Sequence, residues 1–164
     1  MQNELPRQVD PAMRDSDKAA LESAVRILAR RDHTHTELAL KLRQRGFGRT
    51  AIAAALARCS ELGYLDDANA AMTLAHHMAA RGYGPLWIRR ALIKKGLDTD
   101  LIEKALVCCG DEPVQVRRAR RQLDKKSAAL ARELDPWKRR QKAYRYLIGR
   151  GFSAAVVRQL VAEI

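Results

Sequence analysis

No stretch of this chain carries the run of about 18 uninterrupted apolar residues that a membrane-spanning helix needs, which excludes a helical membrane span. Aromatic residues are scarce, at 5% of 164 residues. No β-branched run alternates with polar residues, so no strand is expected. Three cysteines are too few for a disulfide framework. Cys108 and Cys109 are adjacent and Cys59 stands alone. They are read as plain thiols of a reducing compartment. The first seventeen residues are polar and mixed in charge, without the apolar segment of a signal peptide. Residues 1–16 are therefore expected to be a mobile tail, and the protein cytoplasmic.

Enzyme signatures are lacking too. There is no Gly-rich phosphate loop and no nucleophile motif around a Ser or Cys. Asp66 and Asp67 are paired carboxylates. Acid–base work would demand a pocket around them, whereas capping a helix N-terminus needs none. His76 and His77 are adjacent, so on a helix they diverge by about 100°, and a zinc site wants convergent ligands. The expectation is no catalytic residue, no metal and no cofactor: not an enzyme.

A six-residue motif, by contrast, recurs. Leu42-Arg43-Gln44-Arg45-Gly46-Phe47 returns as Leu92-Ile93-Lys94-Lys95-Gly96-Leu97 and as Leu147-Ile148-Gly149-Arg150-Gly151-Phe152. Each copy places Leu four residues before Gly and a large apolar residue directly after it. Such a Gly reads as the C′ residue that ends a helix in the left-handed conformation, with the next apolar residue folding back onto the last turn. Leu38, Ile88 and Ala143 stand four residues before the Leu, on the same helix face. Ile52, Ile102 and Val157 follow each Gly by six residues, and Leu56, Leu106 and Val161 by ten, marking one face of a next helix. The glycines are 50 and 55 residues apart (96 − 46 and 151 − 96). A period of that size signals an array of helical units.

The fold expected is all-α: tandem three-helix repeats forming an elongated, curved array, over residues 17–63, 64–110 and 111–164. In the first repeat, helices are expected over about 17–31, from a Thr34–Glu37 capping box to Arg45, and over about 50–62. The second opens at Asp66 or Asp67, restarts at Pro85, whose missing N–H suits a first turn, and takes Asp98 as the cap of its last helix. The third begins with one long basic helix over about 113–134, striped by Val114, Leu123, Ala128 and Leu130. It restarts at Asp135-Pro136 and ends with a helix capped by Ser153.

Charge is the other positive signal. The net charge is +12. Residues 111–164 hold 14 Lys and Arg against 6 Asp and Glu, while 1–63 hold 11 against 8 and 64–110 hold 6 against 5. A field concentrated in this way attracts nucleic acid or an acidic protein surface. The candidate binding residues are Arg117, Arg118, Arg120, Arg121, Lys125, Lys126, Lys138, Arg139, Arg140, Lys142 and Arg145 of the third repeat, then Arg89, Arg90, Lys94 and Lys95 of the second.

Three blocks resemble a known family in order and spacing. They are Ile27-Leu28-Ala29-Arg30-Arg31-Asp32-His33-Thr34 with Glu37-Leu38 and Arg45-Gly46-Phe47; Gly63-Tyr64-Leu65-Asp66-Asp67-Ala68; and Arg81-Gly82-Tyr83-Gly84-Pro85 with Ile88-Arg89, Leu92 and Lys95-Gly96. The chain resembles the RecX family of recombination regulators. The resemblance implies a non-enzymatic protein that binds the RecA recombinase filament on DNA. It implies inhibition of strand exchange, and hence effects on recombination, DNA repair and the SOS response. DNA, single- or double-stranded, is a second expected partner, and the protein is expected to be a monomer. The alternative is a non-enzymatic DNA-binding regulator of helix-turn-helix type. It is disfavoured because Ala51, Ala53 and Ala54, taken as exposed after the first motif Gly, are too small to read bases. Leu86-Trp87 departs from the basic residue common in the family, and leaves Trp87 as an exposed contact or a core plug.

Overall fold

The computed structural model describes residues 11–164, with side chains from Ser16 onward. Ten α-helices and one 3₁₀ turn occur among them, with no strand. The chain divides after Asp67 into two compact units.

The first unit holds α1 (Pro11–Leu28), α2 (His35–Gln44) and α3 (Arg49–Glu61). Its core is built from Ala20, Ala24 and Ile27 of α1, Leu38 and Leu42 of α2, and Ile52, Ala55 and Cys59 of α3, with Leu65 closing it. Thr34 and Glu37 form the expected reciprocal capping box at the start of α2.

The second unit holds α4 (Asp67–Ala80), α5 (Pro85–Lys94), α6 (Thr99–Leu106) with the 3₁₀ turn Val107–Cys109, α7 (Glu112–Asp124), α8 (Ser127–Ala131), α9 (Pro136–Gly149) and α10 (Ala154–Val161). It contains two cores. In the first, Ala71, Ala75 and Ala79 of α4 face Ile88 and Leu92 of α5 and Ile102 and Ala105 of α6. In the second, Ala119 and Leu123 of α7 meet Ala143 and Leu147 of α9, Phe152, and Val156, Val157 and Leu160 of α10. Alanine at the facing positions lets the helices approach closely, so few aromatics are needed to fill the space.

The recurring motif is one structure built three times. After α2 the Gly46 N–H donates to the Arg43 carbonyl (2.9 Å) and the Phe47 N–H to the Leu42 carbonyl (3.3 Å). After α5 the pairs are Gly96 to Ile93 (2.9 Å) and Leu97 to Leu92 (3.4 Å). After α9 they are Gly151 to Ile148 (2.9 Å) and Phe152 to Leu147 (3.2 Å). This pair of bonds satisfies carbonyls the helix end would leave bare. The three glycines have φ of 88°, 73° and 86°, and the three leucines are fully buried.

Several expectations are corrected. The first helix begins at Pro11 rather than Asp17, so 11–16 are helical; the rest of the expected tail, 1–10, lies outside the described residues. The long helix over 113–134 is two helices, broken at Lys125-Lys126, where the Ser127 hydroxyl donates to the Asp124 carbonyl (2.8 Å). Ala128, expected inward, is exposed on the short second piece, and too few apolar residues remain beyond Leu123 to hold one straight helix on the core. Asp98 occupies the N-cap of α6 but its side chain makes no cap bond. Asp67 opens α4, yet its carboxylate accepts the His35 N–H at the start of α2 (2.9 Å). Ala51 is buried against α1 and α2, whereas Ala53 and Ala54 are exposed.

Candidate nucleic-acid and partner interface

Within the second unit the turn before α5 is joined to the turn after α9. The Gly84 N–H donates to the Arg150 carbonyl (2.8 Å) and the Leu86 N–H to the Gly151 carbonyl (3.0 Å). Tyr83 and Trp87 stack at 3.9 Å between centroids, and the Arg150 guanidinium lies 4.9 Å from the Tyr83 ring and 5.5 Å from the Tyr146 ring. Cation–π contact of this kind favours a fixed guanidinium. Trp87 is thus a half-buried plug in this seam. The second and third repeats present their basic helices from one packed body.

The basic side chains fall into two groups. Some are used internally. Arg118 donates to the carbonyls of Cys109 (3.1 Å) and Cys108 (3.3 Å), satisfying the end of the 3₁₀ turn. Arg120 bonds both carboxylate oxygens of Glu163 (2.9 and 2.6 Å), joining α7 to the chain's last turn. Arg89 pairs with Glu103, which raises the guanidinium pKa and holds the carboxyl below its usual range. Lys142 pairs with Glu133 and lowers that carboxyl likewise. Lys138 stands 4.0 Å from Asp135, and Lys126 lies over Tyr146. Arg139 lines a cavity with Leu123, Leu130 and Leu160. Lys95 is the C-cap of α5, is half-buried and has interactions of its own.

The others have no acid partner among the described residues: Arg117, Arg121 and Lys125 at α7, Arg140 and Arg145 on α9, and Arg90 and Lys94 on α5, all exposed. Helical spacing puts Arg117, Arg121 and Lys125 on one face, one turn apart each time. Arg121 and Lys125, with Arg118 and His76, line a cleft of about 590 Å³ between the end of α4 and α7. On α5, Leu86, Arg90, Ile93 and Lys94 share an exposed face that mixes apolar and cationic groups, as protein contacts require. On α9, Trp137 is 66% exposed one turn from Arg140.

Sequence reasoning missed one cationic cluster. Arg26, Arg30, Arg31, His33, Lys41 and Arg45 line a cleft of about 500 Å³ in the first unit. The signal existed in two pairs at i, i+4, Arg26–Arg30 and Lys41–Arg45, but the net charge of the first third averaged it away. The thiols are quiet. Burial raises the Cys59 pKa, and burial together with Cys108 pushes the Cys109 thiol up to about 12. No helix among the described residues is long and apolar enough to cross a membrane.

Fold and surface together define a class: an all-α protein of tandem three-helix units with cationic faces. The comparisons with known proteins carry this further. The family models described as the first, second and third three-helix domains of RecX match residues 20–59, 66–106 and 114–161. A protein named Regulatory protein RecX from Legionella pneumophila is 36% identical over 146 residues, covering 88% of this chain and 94% of its own. Another of that name from Pseudomonas fluorescens is 37% identical over 153 residues, 92% of this chain and 95% of its own. The crystal structure of RecX from Lactobacillus salivarius superposes with a TM-score of 0.79 at 23% identity, over 91% of this chain and 96% of that one. The chain belongs to the RecX family of regulatory proteins.

Proposed function

We propose that this protein is a regulator, mainly an inhibitor, of a RecA recombinase. It binds the RecA–DNA filament without chemistry of its own and so modulates recombination, DNA repair and SOS activities in the cytoplasm. The name shared by its relatives supports a regulatory role. The observation that carries the physical side is the set of exposed cations on α5, α7 and α9 that have no acid partner among the described residues. Structural ion pairs leave no such surplus, and an anionic polymer or an acidic protein groove would complete it. The repeats divide the work near residues 63 and 110, with the third giving the strongest field and the α5 face a mixed apolar and cationic contact. The protein works as a monomer, one copy touching several protomers of the polymer.

The test is RecA's DNA-dependent ATPase, measured with this protein below stoichiometry while filament length is followed by microscopy. A fall in rate or length well beyond the fraction of protomers occupied is expected. Unchanged rate and length would remove the proposal. A helix-turn-helix DNA-reading role has less support. Ala53 and Ala54 on the exposed side of α3 offer no donors or acceptors for base edges.

A further inference from the structure

The cleft in the first unit lies outside the faces assigned above, and its chemistry is of one kind. Arg26 lies in the last turn of α1 and Arg30 just beyond its end, while Lys41 lies in the last turn of α2 and Arg45 is its C-cap. Arg45 reaches back to α1, donating to the Ser23 hydroxyl at 2.6 Å, so the two pairs face each other. Arg31 comes from the turn between the helices. The buried part of the lining is Ile27 and His33. The His33 Nδ1 donates to the Arg31 carbonyl (2.8 Å), which fixes the ring.

Five cationic side chains therefore surround about 500 Å³, and among the described residues no carboxylate lines it. Two acids stand at the rim. Glu22 is 3.4 Å from Arg26, and Glu37 is 3.4 Å from Arg31. Neither reaches Arg30, Lys41 or Arg45, none of which has an acid partner among the described residues. Like charges gathered at this density repel, and solvation alone is served better by scattering them. A bound anion offsets the repulsion. The volume exceeds that of one monoanion, and guanidinium forks match phosphate oxygens in pairs.

We infer that the first repeat carries a phosphate-binding pocket, in which Arg26, Arg30, Arg31, Lys41 and Arg45 hold two or three linked phosphate groups over the His33 ring. The linked phosphates come from a nucleic-acid backbone or from a free polyphosphate; the recognition chemistry is the same. The pocket is independent of any recombinase, so its test contains none and its failure would leave the proposed function standing.

The full chain is titrated separately with inorganic tripolyphosphate and with a single-stranded oligothymidylate at low salt, as wild type, as Arg30→Gln/Lys41→Gln and as Arg117→Gln/Arg121→Gln. Wild type is expected to bind at least one of the two ligands. The Arg30→Gln/Lys41→Gln protein, whose helicity is checked by circular dichroism, should lose at least tenfold in affinity for that ligand. Arg117→Gln/Arg121→Gln should leave tripolyphosphate binding unchanged. A loss confined to the oligonucleotide identifies a strand backbone as the source, and a loss confined to tripolyphosphate identifies a free polyphosphate. If wild type binds neither, or if Arg30→Gln/Lys41→Gln binds as tightly as wild type, the pocket does not exist as a site. The Arg30→Lys/Lys41→Arg protein keeps the charge and should retain most of the binding.

Discussion

Gly84 and Gly151 touch backbone to backbone: a Cβ on Gly84 would sit 2.4 Å from the Gly151 carbonyl oxygen, and one on Gly151 would sit 2.3 Å from the Trp87 nitrogen. Two repeats are joined where neither residue has a side chain. Gly46 is the same helix-ending residue in the first repeat, with φ of 88°, but a Cβ there meets nothing within 4 Å. The pair of sites separates backbone conformation from packing. Gly46→Ala should cost about 1–2 kcal/mol, the left-handed penalty alone. Gly151→Ala has that penalty and must also push α5 away, so it should cost about 2 kcal/mol more. Urea unfolding of the two variants checks this, and equal losses would mean that the seam does not hold the second unit together.

Arg118 and Arg121 lie on the same basic helix, yet they should fail differently. Arg118 satisfies two carbonyls at the end of the 3₁₀ turn, so Arg118→Gln should lower stability by about 1–3 kcal/mol. Arg117→Gln, Arg121→Gln and Lys125→Gln remove charge that has no acid partner among the described residues. Together they should leave the melting temperature within a degree or two and weaken filament binding on the order of tenfold. If duplex phosphates are what these side chains meet, the slope of log affinity on log salt should fall by about 0.9 per lost contact. Titration at three salt concentrations reads both effects; a stability loss without an affinity loss would reassign the cluster to structure.

Those two arginines also mark what the sequence could convey. Helix ends are local events, so Leu42-x-x-x-Gly46-Phe47 and its two repeats disclosed the Gly turns, the buried leucines and the three cores. Thr34, Asp135 and Ser153 accept the N–H groups expected of caps for the same reason. Asp66 or Asp67 was expected to cap α4; the Asp67 carboxylate accepts instead from the His35 N–H of α2, a partner 32 residues away in sequence that no local pattern announces. The Gly84–Gly151 seam gave no signal, since a contact between backbones leaves no hydrophobic or charged residue to notice. Net charge by thirds points to the third repeat and passes over the first, whose 11 Lys and Arg are offset in the sum by 8 acids although five of them gather in one cleft.

The α5 face supplies a separate prediction. Arg90 and Lys94 are exposed and have no acid partner among the described residues, while Arg89, next in sequence, is held by Glu103 across to α6. Arg90→Glu/Lys94→Glu should reduce filament binding by an order of magnitude or more, through repulsion from an acidic surface. Arg89→Ala removes an exposed pair and should leave stability almost unchanged, with less effect on binding. A pull-down of RecA–DNA filaments with each variant distinguishes them; if Arg89→Ala is the more damaging, the contact runs along the other side of α5.

His33 makes stability depend on pH in a direction that can be worked out. Burial lowers its pKa from the ordinary 6.5, and the charges of Arg31 and Lys41 lower it further, while the Arg31 carbonyl and Glu37 partly oppose them. The folded state therefore takes up a proton less readily than the unfolded chain. Above 6.5 both states are neutral at this residue and its contribution is complete. As pH falls below 6.5 the unfolded chain protonates first, so stability drops until the folded-state pKa is passed. His33→Asn keeps a donor where Nδ1 bonds the Arg31 carbonyl but cannot titrate. Melting temperatures from pH 8 to pH 5 should fall more steeply for wild type than for His33→Asn, with the curves parting near pH 6.5. An anion in the cleft favours the imidazolium, so tripolyphosphate should bring the two curves back together. Curves that stay parallel without ligand would show that the folded chain protonates His33 as readily as the unfolded chain does, and would overturn the pH dependence.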